Sequence, residues 1–239
     1  YLVSSYGAVS PLCGKLTFVP VTTSAYVFNP CFRFGPDAGV LYARESNGSW
    51  SSPEYCQTRS VSLDGDGNLQ FGPAHHVTFV DTDGKALHPP SSRIQSSLHR
   101  KQFEDLRYTG GRGNYLTCTA IVSRSICSIT TRICILRETD RPGVLVYLHM
   151  FESPDNNKME KNWLFVDSDE GMMDVLYTHI PFRVFGYDKT THDMVEYPTV
   201  RSPPDLFPDW TIDGKRPSSL RGNCTCRYST TEYLVIVHH

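Results

Sequence analysis

The chain has 239 residues, 39% of them apolar and 20% charged, with a formal charge of -2. That is ordinary globular composition. No long basic block is present to hold nucleic acid, and the longest apolar stretch, GVLVYLHMF, is far short of a membrane span. The chain begins without Met or a signal-like pattern, so a processed or trimmed chain is expected.

Helical periodicity is scarce. Short runs rich in Val, Ile, Tyr and Phe alternate with Gly, Pro, Asn and Asp clusters, which predicts an all-β fold. In chain order, FNPCFRFGPDAGVLYARES predicts a pair of strands, and LDGDGNLQFG and VDTDGKAL predict hairpin turns. ALHPPSSRIQSSLHRKQ is expected to be a loop or a short helix. FEDLRY opens a strand, a Gly-rich turn follows, and CTAIVSRSICSITTRICIL reads as two β-branched strands. VLVYLHMF is another strand, FESPDNNKMEKN a loop, and the Pro-rich RSPPDLFPDWTIDGKRPSS irregular. Nothing looks like an interdomain linker, so residues 1–239 are expected to form one domain.

Four segments share a plan of polar motif, strand, turn and second strand: FNPCFRFGPDAGVLYARES, FEDLRYTGGRGNYLTCTAIV, EKNWLFVDSDEGMMDVLYTHI and LRGNCTCRYSTTEYLVIVHH. With Asn29, Asp105, Asn162 and Gly222 as markers, the intervals are 76, 57 and 60 residues. Repeats of that length with several strands each suit the blades of a β-propeller. The motif heading each inner strand would then face the axis, and distant polar residues would meet in one pocket. That would account for charges at strand mouths, where they are costly unless paired or used.

Eight cysteines occur without a CxxC spacing, which argues against structural zinc. Buried free thiols are one reading of them and disulfides in an oxidising compartment the other. Sequons stand at Asn47 and Asn223; the second lies inside a proposed axis-lining motif and is expected to be unmodified. Sequons and cysteines lean towards a secretory or lumenal location over a cytoplasmic one. Asp64-Gly-Asp66-Gly-Asn68 begins like a calcium loop, but Leu69 and His75 stand where Gly and Glu belong, so a hairpin turn is expected. No metal and no cofactor is required.

The order NP…YxRES, FEDxR, EKNW…YTHxPxRV and LRG…YLVIVHH resembles the five-bladed β-propellers of glycoside hydrolase family 130 and the related β-1,2-mannosyltransferases, over roughly residues 25–239. FEDLRY is the most specific element, with Leu106 where the family has proline. The chain stops where a fifth blade should follow. On this resemblance the expectation is either a truncated chain or missing strands supplied by residues 1–25 and the insertion between the first two motifs. Completion of the pocket by a second copy in a homo-oligomer would also suit a missing blade.

The resemblance implies an inverting glycosyltransferase or glycoside phosphorylase acting on β-mannosidic bonds, with Asp105 as general acid/base. Its partners would be mannose-containing oligosaccharides with phosphate, mannose-1-phosphate or GDP-mannose. Candidate substrate- or phosphate-binding residues are Asn29, Arg44, Glu104, Arg107, Lys161, Asn162, Tyr177, His179, Arg221 and His238. Cations outnumber spare carboxylates among the motifs, which favours phosphate chemistry over a β-mannoside hydrolase. A non-catalytic glycan-binding propeller is the rival from another class.

Plainer readings stand beside these. Glu104 and Arg107 could form a strand-end ion pair, Asp105 could cap a turn, and Asn29 could make an Asx turn. Lys161 and Asn162 could be loop polar groups, Arg44 could cover apolar surface with its stem, Arg221 could head a tight turn, and His179 could be packing. Trp163, Tyr177 and Tyr108 could stack on sugars or fill the core.

Overall fold

The computed structural model describes residues 2–3, 9–10, 26–34, 38–46, 55–66, 68–87, 103–111, 114–124, 129–167, 170–179, 182–198, 221–227 and 233–238. Among these the fold is all-β, with no helix, so no helix is long and apolar enough to cross a membrane. Of the expected loop or helix from 86 to 102, residues 88–102 lie outside the described residues, as do the Pro-rich 201–219, Asn47, Cys13 and Cys127. The chain folds into two compact units. One comprises Pro20–Tyr108 and Asn114–Lys161; the other comprises Tyr1–Val19, Thr109–Gly113 and Asn162–His239.

The chain opens with β1 (Leu2–Val3) antiparallel to β2 (Val9–Ser10). In the unit that starts at Pro20, the first sheet runs β3 (Tyr26–Phe34), β4 (Gly39–Ser46), β5 (Tyr55–Leu63), β6 (Leu69–Phe71), with β7 (His75–His76) also on β5. The second sheet contains β8 (Thr78–Val80) and β9 (Phe103–Tyr108). After β10 (Gly110–Gly111), which belongs to the other unit, it continues with β11 (Tyr115–Arg124), β12 (Ile129–Glu138) and β13 (Val144–Met150). Its spatial order is β8-β13-β12-β11-β9, antiparallel except for β13 beside β8.

Turn chemistry sets these hairpins. The Asp64 carboxylate accepts the N–H groups of Asp66 at 3.0 Å and Asn68 at 2.8 Å, closing an Asx-type turn from β5 to β6. The Asn68 amide, first among several donors, holds the Asp64 carboxyl below its ordinary range. Its oxygens are thus engaged within the turn, as a hairpin requires. Asp81 does the same for Asp83 and Lys85. Between β12 and β13, Arg141-Pro142-Gly143-Val144 closes with Val144 N–H on the Arg141 carbonyl at 3.1 Å. Gly143 has φ 75°, the left-handed value that the third position of a type II turn requires.

The core follows from strand alternation. On β4, Tyr42 faces a cluster shared by both sheets: Cys31, Cys56, Leu106, Leu116, Cys118, Ala120, Cys134, Leu136 and Leu145. Its neighbours Leu41 and Ala43 face the opposite side with Val61. A strand buried on both faces explains why GVLYARES is so apolar at its start. Cys31, Cys56, Cys118 and Cys134 are buried and carry thiols, not disulfides. Cys118 and Cys134 are register partners across β11 and β12.

One polar knot ties the two sheets. Glu138, at the end of β12, accepts from the Tyr42 hydroxyl at 2.9 Å and the Tyr108 hydroxyl at 2.6 Å, both on Oε1. Its Oε2 takes no aligned hydrogen bond but has Arg33 Nη2 at 2.8 Å as ion-pair partner. Arg33 also lies over the Tyr108 ring, 5.6 Å from its centroid, and donates to Asn114 at 3.0 Å. Burial, followed by the Glu138 carboxylate, pushes both tyrosine hydroxyls well above their ordinary range.

In the other unit the sheet order is β10-β14-β15-β16-β17, with β14 (Leu164–Asp167), β15 (Met172–His179), β16 (Phe182–Asp188) and β17 (Met194–Glu196). All four residues of β14 are buried, consistent with cover on both faces. Trp163 packs edge-on against Tyr177, and Tyr177 edge-on against Phe185. Buried Asp167 is paired with Lys189. β18 (Arg221–Arg227) and β19 (Tyr233–His238) form an antiparallel pair.

Two predictions test this packing. Glu138→Ala removes the acceptor of two buried hydroxyls and should cost about 2–4 kcal/mol in urea unfolding; Tyr42→Phe, which removes one donor, should cost about 0.5–1.5 kcal/mol. The second concerns pH. Burial pushes the Cys31 thiol from an ordinary 9.0 up to about 12. Below about pH 9 both states keep the proton; above it the unfolded chain ionises first, so stability should fall as pH rises from about 9 towards 12. The urea midpoint at pH 8, 9, 10 and 11 measures this, and Cys31→Ala should flatten the decline.

Candidate functional site

The first two repeats of the sequence turn out to share a backbone device. On β3, Phe28 pairs with Arg44 and Cys31 with Tyr42, so Asn29 and Pro30 together oppose Ala43. On β9, Glu104 pairs with Thr119 and Arg107 with Thr117, so Asp105 and Leu106 together oppose Cys118. These are matching two-for-one β-bulges. Their first residues lie in the left-handed region, Asn29 at φ 50° and Asp105 at φ 56°. Asn162, two residues before β14, has φ 64°. β18 shifts register between Gly222 and Cys224. Gly, Asn and Asp are the residues that take such backbone at least cost. The recurring polar marker therefore has a backbone reason as well as a chemical one.

The bulges bring four predicted residues together in the unit that starts at Pro20. Asn29 Nδ2 donates to Asp105 Oδ1 at 2.5 Å, and Arg44 Nη1 to the same oxygen at 3.2 Å. Arg44 Nη2 lies 3.2 Å from Glu104 Oε1. Side-chain exposure is 14% for Arg44, 9% for Glu104 and 12% for Asp105, so these three are sheltered, while Asn29 is exposed. Charges so sheltered need their partners, and each has one. Asp105 Oδ2 takes no hydrogen bond among the described residues.

Beneath the bulge lies an apolar floor. Cys118 sits opposite Asp105 and Leu106 and is 2% exposed; Cys134 is 0% exposed. Burial, then the neighbouring Cys134, holds the Cys118 thiol well above its ordinary range. The Cys118 thiol stays protonated, and both side chains behave as small hydrophobes.

The remaining predicted residues are placed as follows. Arg107, half-buried, pairs with Thr117 on β11. Lys161 is half-buried at the end of the loop after β13. That loop is pinned by Thr131 Oγ1 donating to the Glu160 carbonyl at 2.9 Å and by Ser153 bonding the Glu160 carboxylate. In the second unit, Tyr177 is 6% exposed, with Trp163 and Phe185 edge-on and the Arg183 guanidinium 5.0 Å from its ring centroid. Its ring is thus occupied by packing within that unit. Trp163 is likewise core, 1% exposed. His179 ends β15, while Arg221 and His238 stand directly opposite each other at the ends of β18 and β19.

Sequence reading missed two groups. Glu138, which gathers Arg33, Tyr42 and Tyr108, lies in ICILRETD, where no spacing marks it. Arg183 was within reach, because it stands inside the quoted YTHxPxRV. It forks onto Glu196 at 2.7 and 2.8 Å. No group of three or more His, Cys, Asp or Glu among the described residues is arranged to hold a metal ion.

No protein-family model matches this chain, and no curated protein does. Among solved structures it is similar to MPT-4, a mannose phosphorylase from Leishmania mexicana in complex with phosphate ion. Identity is 10%, 90% of this chain and 80% of that chain are covered, and the TM-score is 0.31. At that score the likeness carries no argument about this chain.

The bulge geometry makes a stability prediction. Asp105→Asn and Asn29→Gly keep residues suited to left-handed backbone and should unfold close to wild type. Asp105→Val puts a β-branched side chain there and should cost about 1–3 kcal/mol beyond Asp105→Asn. Thermal and urea unfolding of the three variants measures the difference.

Proposed function

We propose that residues 1–239 form a β-propeller carbohydrate-active enzyme that makes or cleaves β-mannosidic bonds by inversion, with Asp105 moving the proton at the glycosidic oxygen. One observation carries this reading: Asn29, Arg44, Glu104 and Asp105 converge from two sequence repeats onto matching bulges. The motif resemblance supplies the reaction class. Asp105 would act from Oδ2, the oxygen that Asn29 and Arg44 leave open. Arg107 and Lys161, of the same unit, are the further proposed sugar and phosphate contacts. A five-bladed arrangement is part of the proposal.

A second reading, a glycan-binding propeller without turnover, is favoured by one contact pattern. Arg44, the cation beside Asp105, has both terminal nitrogens on carboxylates. It is poorly placed to hold phosphate as well, so phosphate would have to be held elsewhere.

Incubation with mannose-1-phosphate or GDP-mannose and a mannose acceptor, and separately with β-mannobiose and phosphate, tests the proposal. Turnover with inversion is expected, giving a β-mannoside from the α-configured donors and α-mannose-1-phosphate from β-mannobiose, and Asp105→Asn should lower kcat by about a hundredfold or more. Turnover undiminished in Asp105→Asn removes Asp105 from the proton-transfer role. Mannoside binding without turnover in the wild type establishes the second reading.

A further inference from the structure

We propose that Glu104 is a positioning residue for Asp105 and acts through Arg44, without touching the sugar. The inference rests on the carbohydrate reading above and assigns Glu104 a role different from the substrate contact expected from sequence. Arg44 reaches the site from β4 and divides its fork, Nη1 to Asp105 Oδ1 and Nη2 to Glu104 Oε1, each at 3.2 Å. A guanidinium is planar and rigid, so fixing one terminal nitrogen fixes where the other points. Glu104 is 7% exposed and its β9 backbone is held by pairing with Thr119. Its carboxylate is thus a fixed anchor for the second arm of the fork.

The consequence falls on Asp105. Its Oδ1 is met by Arg44 and by Asn29 from two different strands, β4 and β3. Two donors on one oxygen set the carboxylate plane, and with it the direction of Oδ2. The left-handed bulge sets the position of the Asp105 backbone; Arg44 sets the rotation of its carboxylate. Without Glu104 the guanidinium could turn about its stem, and Oδ2 would lose its aim. Misplacement on that scale lowers kcat while leaving ground-state binding largely intact.

Substitutions at Glu104 separate positioning from the other roles. Glu104→Gln keeps the length and an acceptor oxygen for Nη2. Glu104→Asp keeps the charge but is one methylene short, and Glu104→Ala removes both. Positioning predicts the order Gln, then Asp and Ala, in kcat. The Gln variant should stay within about threefold of wild type, and Asp and Ala should fall by about tenfold or more at nearly constant KM. In an Arg44→Gln background, Glu104→Ala should cost nothing further. If Asp retains activity that Gln loses, Glu104 is a catalytic carboxylate; if KM rises with kcat unchanged, it is a substrate contact. Either result overturns the proposal. Crystal structures of Glu104→Gln and Glu104→Ala give a readout that needs no turnover. Loss of the Arg44–Asp105 contact in the Ala variant and its retention in the Gln variant are expected. The contact unchanged in Glu104→Ala overturns the proposal even if the wild type has no activity, whereas absence of activity alone bears only on the enzyme reading.

Discussion

The left-handed bulge is the constraint on which the site depends. An ordinary strand alternates its side chains, so Asn29 and Asp105 would point wherever strand parity sent them. An extra residue opposite Ala43 on β3 and opposite Cys118 on β9 breaks that parity. Left-handed backbone at Asn29 and Asp105 then aims two short polar side chains at each other across the strands. Strained backbone of this kind costs of order 1–3 kcal/mol and persists only where the surroundings over-determine it. Here the surroundings are two packed sheets.

Electrostatics completes what the backbone begins. One guanidinium serves two carboxylates, all three largely shielded from solvent. Such a triad is weak as a source of stability, since desolvation offsets most of the attraction. Its value is directional: a planar fork with fixed bond angles converts the position of one carboxylate into the orientation of the other. Beside the bulge, Cys118 and Cys134 add small, buried, apolar side chains to the core that the two sheets share.

The Glu138 knot keeps these parts in register. It joins Arg33 and Tyr42 of the first sheet to Tyr108 and Glu138 of the second through one buried carboxylate. Tyr108 lies three residues after Asp105 on the same strand, and Tyr42 two before Arg44. A slip between the sheets would therefore separate Arg44 from Asp105 and strand two hydroxyls at the same time. Unpaired buried hydroxyls are costly, so the site inherits rigidity from a network that takes no part in its chemistry.

Local chemistry alone was enough to read the all-β character, the Asp64 and Asp81 hairpins and the strand pair in CTAIVSRSICSITTRICIL, because alternation and Asx turns are short-range effects. It also marked Asn29, Asp105 and Asn162 as counterparts, since only a few residue types tolerate the backbone they share. Contacts between stretches 61 and 76 residues apart were decided by the fold. The meeting of Arg44 with Glu104 and Asp105, the burial of Tyr177 under Arg183, and the gathering of Arg33, Tyr42 and Tyr108 on Glu138 all depend on register between strands. Register is set by bulges and by the packing of whole faces, and no window of neighbouring residues contains that information.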